Sequence, residues 1–290
     1  MRRVGLYIGM ALVFFISIAV AATVVELLRN SEELWVKNKY KESTAALDEA
    51  MKMNPTPQQK AEIYWRKARN LYDTAEEMPR EAKKERLNNY MQMQDLSKKC
   101  MAADPKTAEC YMWLGTGLGR EGTQKGVLNM LSQIAIVEGY FLKTIELKST
   151  YRAEQGQANT MGDAYYALGQ FYRLVPDWGA VKLLYKTKGD KQKSVEMLRK
   201  AVELEPKRAE YVKELGISLV CLGKTTNNQK ATDEGIQWLK KVETLPTIKP
   251  TDEIDKKHAK MILGNLELAC GYSRDAQQDI SRESYDKKKK

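Results

Sequence analysis

Apolar and small residues recur along most of this chain at intervals of three and four, the spacing that gathers them into one stripe on an α-helix. The string Ser194, Leu198, Ala201 runs between the turn residues Gly189-Asp190 and the stop Pro206, so one amphipathic helix with defined ends is expected there. The same string appears as Ser43, Leu47, Ala50 ahead of Pro55, and a third ends in Cys100 ahead of Pro105. The partner helices carry a Leu-Gly pair: Leu114-Gly115, Leu168-Gly169, Leu215-Gly216 and Leu263-Gly264. Gly115 lies 10 residues beyond Pro105 and Gly216 lies 10 beyond Pro206, the self-similarity of a stacked repeat. The pattern predicts helix pairs at 24–37 with 39–53, 58–77 with 80–102, 107–120 with 124–148, 158–173 with 190–204, and 207–222 with 229–244, then a closing helix at 251–272. Pro176, Trp178 and Gly179 mark an irregular insertion in the fourth pair. The expected fold is therefore all-α, a helical repeat solenoid over residues 26–272. Residues 273–290 are polar, end in four lysines, and read as a solvated, disordered tail.

The N-terminus follows a different pattern. Val4 to Val25 holds no charge over 22 residues. As a helix it would span about 33 Å, enough for a hydrocarbon core of about 30 Å, so residues 1–25 read as a membrane anchor. Arg2 and Arg3 ahead of the run and Ala19-Val20-Ala21 within it read equally as a signal peptide with its small-x-small cleavage site. In both readings the two arginines hold the N-terminus in the cytoplasm and the remainder crosses the membrane. The expected location is membrane-anchored or secreted, the periplasm if the source is bacterial. If an anchor, the segment would run straight into the first repeat helix. No Cys follows the run before Cys100, so the lipid-accepting cysteine of a bacterial lipoprotein is absent.

The Leu-Gly pair of one helix, with small and aromatic residues before a closing Pro in the next, resembles the tetratricopeptide repeat. Successive Leu-Gly glycines here are 54, 47 and 48 residues apart, longer than that repeat's usual ~34. Over about 85–265 the resemblance narrows. Cys110-Tyr111-Met112-Trp113-Leu114-Gly115, the stretch Gly126 to Tyr140, Lys143-Thr144-Ile145-Glu146-Leu147, Tyr166-x-Leu168-Gly169-x-Phe171-Tyr172 with Trp178, and Gly235-Ile236-Gln237-Trp238-Leu239-Lys240-Lys241 look like the regulator of microtubule dynamics family. That resemblance implies a helical repeat adaptor, often with an N-terminal membrane segment and without catalytic residues. The chain is also similar to TatT-type lipoproteins, periplasmic tetratricopeptide proteins that partner TRAP-type solute uptake systems. Two functions follow: a non-enzymatic scaffold that binds a protein or peptide in a curved groove, or a periplasmic transport accessory that encloses a small ligand. An apolar tunnel within the stack would favour the second.

Charge changes the picture less than it first suggests. The formal charge is +10, but Arg2, Arg3 and Lys287–Lys290 carry six of these, and the remainder is too weak for a nucleic-acid face. The single histidine, His258, excludes multi-histidine metal sites, and no nucleophile, base and orienter set stands out. The expectation is no enzyme, no metal and no cofactor. Gly115, Gly117, Gly119 and Gly122 lie within a predicted helix and its end, with no preceding strand and no Lys-Ser or Lys-Thr placed as a phosphate loop requires.

Two sets of residues are candidates for a role. Cys100 and Cys110 flank one interhelical turn around Pro105, and a bridge of that size would contribute roughly 2–3 kcal/mol. Cys221 and Cys270 follow the last two Leu-Gly glycines at nearly the same distance and could meet; the alternative for all four is burial as free thiols. Trp113, Tyr165, Tyr166, Tyr172 and Trp178 are the aromatic candidates for a groove surface, against the plainer reading that they pack helix on helix.

Overall fold

The computed structural model describes residues 23–288, and among them it is helical with no strand beyond one isolated bridge, Arg152 to Asn159. The helices are α1 (Val24–Val36), α2 (Tyr40–Lys52), α3 (Pro57–Glu77), α4 (Lys83–Ala103), α5 (Ala108–Lys125), α6 (Ile134–Glu146), α7 (Thr160–Leu174), α8 (Gly179–Tyr185), α9 (Lys191–Leu204), α10 (Ala209–Thr226), α11 (Gln229–Val242), α12 (Asp252–Gly264) and α13 (Arg282–Lys288). Side-chain caps start several of them: Thr23 and Thr56 in capping boxes, then Asn159, Asp190 and Asn228. Each cap satisfies an amide that the helix itself cannot.

Neighbouring helices pair as α1 with α2, α3 with α4, α5 with α6, α7 with α9, and α10 with α11, with α12 closing the stack. The first helices of successive pairs also touch one another and line the inner face. The repeated strings act at the crossings. Ser43 donates 2.8 Å to the Ser31 carbonyl on α1, and Ser194 donates 2.7 Å to the Gly169 carbonyl on α7, so the same residue ties the second helix to the first in two repeats. Leu47, Ala50, Leu198 and Ala201 beside them are wholly buried. A Cβ on Gly115 would sit 2.8 Å from Phe141, and one on Gly169 would land on Leu198, so these glycines let the paired helix approach. Gly216 and Gly235 meet at the α10–α11 crossing, where a Cβ on Gly235 would lie 2.7 Å from the Gly216 carbonyl oxygen.

The structure departs from the sequence pattern in four places. The fourth Leu-Gly pair is not a crossing: a Cβ on Gly264 would meet nothing within 4 Å, because α12 ends at that residue. The closing helix therefore stops at 264 instead of 272, and a 3-10 turn at Leu266–Leu268 redirects the chain. The helix expected from 124 starts at Ile134, since Gly126 (φ 89°, ψ 127°) breaks it and two 3-10 turns follow that bury Val127, Leu128 and Leu131. The segment expected as a solvated tail folds back instead: Ser273, Asp275 and Gln278 are buried, and Tyr285 of α13 packs on Trp178 with ring centres 5.4 Å apart. Its polar side chains pair with buried arginines, so polarity there does not mean solvation.

The apolar run lies almost entirely outside the described residues. Thr23 is extended (φ −80°, ψ 162°) and caps α1, which starts at Val24; the expected anchor or signal segment lies outside the described residues. Among the described residues no helix is long and apolar enough to cross a membrane.

Both cysteine pairs are disulfides in the structure, with Cα atoms 5.4 Å apart for Cys100–Cys110 and 4.8 Å for Cys221–Cys270. Denatured, unreduced protein should therefore show no free thiol, and Cys100→Ser with Cys110→Ser should lower stability by roughly 2–3 kcal/mol in chemical denaturation. Four reactive thiols would refute both bridges.

Candidate functional site

The inner face is polar in an unusual way. On α3, Arg66, Arg69, Asn70, Asp73 and Glu76 fall at intervals of three and four, and all are buried. Arg69, Asp73 and Glu76 of this stripe face the hollow of the stack, while Arg66 turns to the Leu28 carbonyl on α1 and Asn70 to Ser43 and Thr44 on α2. Arg69 lies 3.6 Å over the Trp35 ring and pairs with Glu32 at 2.8 Å. Asp73 accepts a 2.6 Å hydrogen bond from the Trp35 indole, and burial raises its pKa despite Lys249 nearby. Burial alone would raise Glu76 too, but Arg120, Arg274 and Arg86 outweigh it and hold its carboxyl at about 2. Glu76 accepts from Arg120 at 2.5 Å and from the Tyr90 hydroxyl at 2.7 Å.

Beneath this polar rim lies a cavity of about 140 Å³. Met112, Trp113, Ile134, Val137, Phe141 and Phe171 supply its apolar wall, and Tyr72, Tyr166, Asp163, Arg208, Lys249 and Arg274 its polar end. Lys249 reaches in from the loop before α12, with its ammonium 3.8 Å from Glu210, and burial lowers its pKa. Gly119 leaves open space on the cavity side of α5.

The C-terminal segment closes one side of the face. Arg173 donates to the carbonyls of Ala269 (3.0 Å), Cys270 (3.4 Å) and Tyr272 (2.8 Å) and pairs with Glu214 at 2.6 Å. Arg86 and Arg120 reach Asp275 at 2.8 and 3.1 Å, and Thr123 donates to the same carboxylate. Arg80 donates to the carbonyls of Ser273 and Asp275. Gln278 donates to the Thr123 carbonyl at 2.9 Å and accepts from the Val127 amide at 3.1 Å.

A sequence model of the regulator of microtubule dynamics protein 1-3 family matches residues 27–177. The chain belongs to that family. A tetratricopeptide repeat model matches residues 183–208. Solved structures similar to this chain include a thermophilic tetratricopeptide protein of Thermus thermophilus (14% identity, 82% of this chain and 100% of that one, TM-score 0.48). MamA of Desulfovibrio magneticus RS-1 is another (16%, 75% and 94%, 0.43), as is YrrB, described as having an unusual peptide-binding site (15%, 82% and 92%, 0.41). No curated protein matches the chain in sequence.

In this member of the regulator of microtubule dynamics family the predicted aromatic candidates do not form one platform. Trp113 and Tyr166 line the cavity, Trp113 against Tyr72 (5.4 Å) and Tyr166 stacked on Tyr211 (5.2 Å). Tyr172 instead donates to Glu138 at 2.7 Å, Tyr165 lies under the Lys200 ammonium, and Trp178 packs on Tyr285. Sequence reading missed Trp35, Arg69, Asp73, Glu76, Arg120, Arg208, Lys249 and Arg274. The α3 residues among them carried a signal, charged positions recurring at helical spacing, but a charged stripe ordinarily marks a solvated face.

His258 sits beside this face in a chain of hydrogen bonds. The Tyr272 hydroxyl accepts from Lys213 (3.0 Å) and shares a hydrogen bond with His258 Nδ1 (2.8 Å). Burial and then the Lys213 charge lower the His258 pKa to about 4 from 6.5. The unfolded chain thus binds this proton more readily, so stability falls as pH drops from about 6.5 towards 4. After discounting for partial exposure the loss should be about 2 kcal/mol. Denaturation midpoints at pH 7 and 4.5 should differ less in His258→Gln than in the wild type; equal differences would contradict the assignment.

Proposed function

We propose that this protein is a non-enzymatic helical repeat adaptor whose inner face takes an extended peptide segment of a protein partner. One observation carries the reading: the face already holds an irregular segment of its own chain, chiefly through side chains that donate to backbone carbonyls and through arginines on one aspartate. Arginines aimed at carbonyls recognise a peptide backbone in any sequence, and the carboxylate pair adds selectivity. Stacked helix pairs supply the extended concave surface for such contacts. The test is selection of peptides from a displayed random library on the full chain, followed by crosslinking. Selected peptides are expected to crosslink to α3, α5 and α7; crosslinks confined to α2, α4 and α9, or failure to select any peptide, would overturn the reading.

A second reading rests on the cavity. Its apolar wall, the half-buried Lys249 and the buried Arg208 suit a small amphiphile with a negative head, and the volume is close to that of cavities known to hold one benzene ring, ~150 Å³. Native mass spectrometry of the purified protein would show a bound mass under this reading and none without it.

The uncharged run Val4 to Val25 and the two paired disulfides support a location across a membrane, in an oxidising compartment. N-terminal sequencing of the mature protein separates an anchor, which starts at Met1, from a cleaved signal, which starts near Ala22.

A further inference from the structure

Tyr272 is a core residue, 1% exposed, but the segment that follows it, Ser273 to Asp279, differs from the rest of the interior in how it is held. Between Ser273 and Asp279 its only apolar residue is Ala276, so it brings almost no hydrophobic burial to the fold. Its attachment includes the charge pairs on Asp275 and the Thr123 hydroxyl beside them, the looser pairs of Arg274 with Glu76 (3.5 Å) and Asp255 (3.9 Å), the Arg274 hydrogen bond to the Thr251 carbonyl (3.1 Å), the Arg80 donors to its carbonyls, and the two Gln278 hydrogen bonds. Interactions of this kind exchange readily for equivalent ones from another molecule, whereas a close-packed apolar contact does not. The bed beneath does not depend on the segment to stay assembled. Glu76 alone continues to bind Arg120 at 2.5 Å and faces Arg86 at 3.7 Å, on α3, α4 and α5. With the segment gone, Arg80, Arg86 and Arg120 would face one carboxylate, an excess of positive charge.

The segment is also tied at both ends. The Cys221–Cys270 disulfide fixes it to α10 just before it enters the face, and Tyr285 rests on Trp178 after it leaves. A segment tethered in this way is present at its own site at an effective concentration on the order of millimolar, so it shields the bed from weak competitors.

We infer that residues 273–279 are a resident, displaceable occupant of the peptide site, and that the partner is an extended peptide with an aspartate or glutamate that takes the place of Asp275 between Arg86 and Arg120. This rests on the adaptor reading and adds to it the chemistry of the partner and the means by which the site is kept closed. The competing segment lowers apparent affinity by the fraction of chains with the bed open. Partners below that threshold are excluded whatever their fit.

The experiment uses the full chain, wild type and Asp275→Asn, with a fluorescein-labelled peptide of residues 271–281 as probe and anisotropy as readout. Asp275→Asn weakens the resident segment but leaves the bed intact, so it should bind the probe at least about tenfold more tightly than the wild type. A probe with Asn in place of the aspartate should lose that gain, as should Arg120→Gln added to the variant chain. Amide exchange on the wild type gives a readout that does not depend on any variant folding: residues 273–279 should exchange well before α10. Equal probe binding by wild type and a folded Asp275→Asn chain would overturn the inference, as would exchange of the segment only with α10, which would make it a permanent part of the core. Library peptides that crosslink to α3, α5 and α7 while the segment stays protected would overturn this inference and leave the adaptor reading standing. No peptide bound in any arm would remove both.

Discussion

Replacing Arg173 with Met should lower stability by about 3–5 kcal/mol, the range for removing one partner of a buried charge pair. Arg173 is 1% exposed, and its guanidinium does two things at once. It neutralises Glu214 at 2.6 Å, and it supplies donors to the carbonyls of Ala269, Cys270 and Tyr272. Methionine has similar length and no donor, so the Cys270 and Tyr272 carbonyls lose the Arg173 donor, the Ala269 carbonyl is left with the Tyr272 amide at 3.4 Å, and Glu214 is left with Lys213 at 3.2 Å. Unpaired buried acceptors each cost free energy, and the remaining carboxylate costs more. Denaturation in guanidinium chloride should show the midpoint fall with an unchanged slope. Adding Glu214→Leu should recover part of the loss, because two apolar side chains are less costly than one isolated charge. A loss below about 1 kcal/mol, or no recovery in the double variant, would show that the chain reversal at 269–272 is held by other groups.

Leu198→Ala should cost about 3–4 kcal/mol, within the range for opening a leucine-sized cavity in a packed core. Leu198 has no exposed surface, and its branch point fills the space left by Gly169 on the paired helix. This makes a reciprocal test available. Gly169→Ala alone should destabilise by about 1–3 kcal/mol through overpacking against Leu198. In the Leu198→Ala background the same change should stabilise by up to about 1 kcal/mol, since Ala is the better helix former and the room is now vacant. Calorimetric or denaturant midpoints of the four proteins give the coupling. Additive effects would mean that the two positions do not meet at the α7–α9 crossing.

These two sites show what kind of feature can be read along a chain. Leu198 and Gly169 belong to a periodic pattern, and the pattern exists because the same helix crossing is built repeatedly. Once small and apolar residues recur at the spacing of one helix face, the crossing and the helix limits follow from local rules of capping and stops. The helices expected at 39–53 and 190–204 come out within a few residues of α2 and α9 for that reason. The exceptions have physical causes as well. Gly264 shares the Leu-Gly dipeptide but not the crossing, because nothing packs beside it, and a dipeptide does not record its neighbours.

Arg173 belongs to no such pattern. Its partners lie 41 residues away at Glu214 and 96 to 99 away at the carbonyls, and carbonyls carry no sequence signature. The same holds for Arg86, Arg120 and Asp275, which read as ordinary surface charges until the stack brings them together. Polar residues at 273–279 suggest solvent when read alone, and only the buried cations opposite reverse that reading. Of the aromatic candidates, Trp113 and Tyr166 reach the cavity because α5 and α7 are neighbouring first helices. Tyr165 and Tyr172 lie on the same helix as Tyr166 but point elsewhere, a difference of one or a few residues in helix phase.

By itself the sequence determined the all-helical class, the pairing of helices, most helix limits and the position of the crossings, since all of these arise from interactions between residues close in the chain or repeated along it. The tertiary structure alone decided that Arg69, Asp73 and Glu76 of α3 face inward, that the C-terminal segment lies in the inner face, and that a cavity lies beneath the two. Those features depend on charges and carbonyls brought together from distant helices, and the energy of a buried ion pair is set by its surroundings and not by the residues that form it.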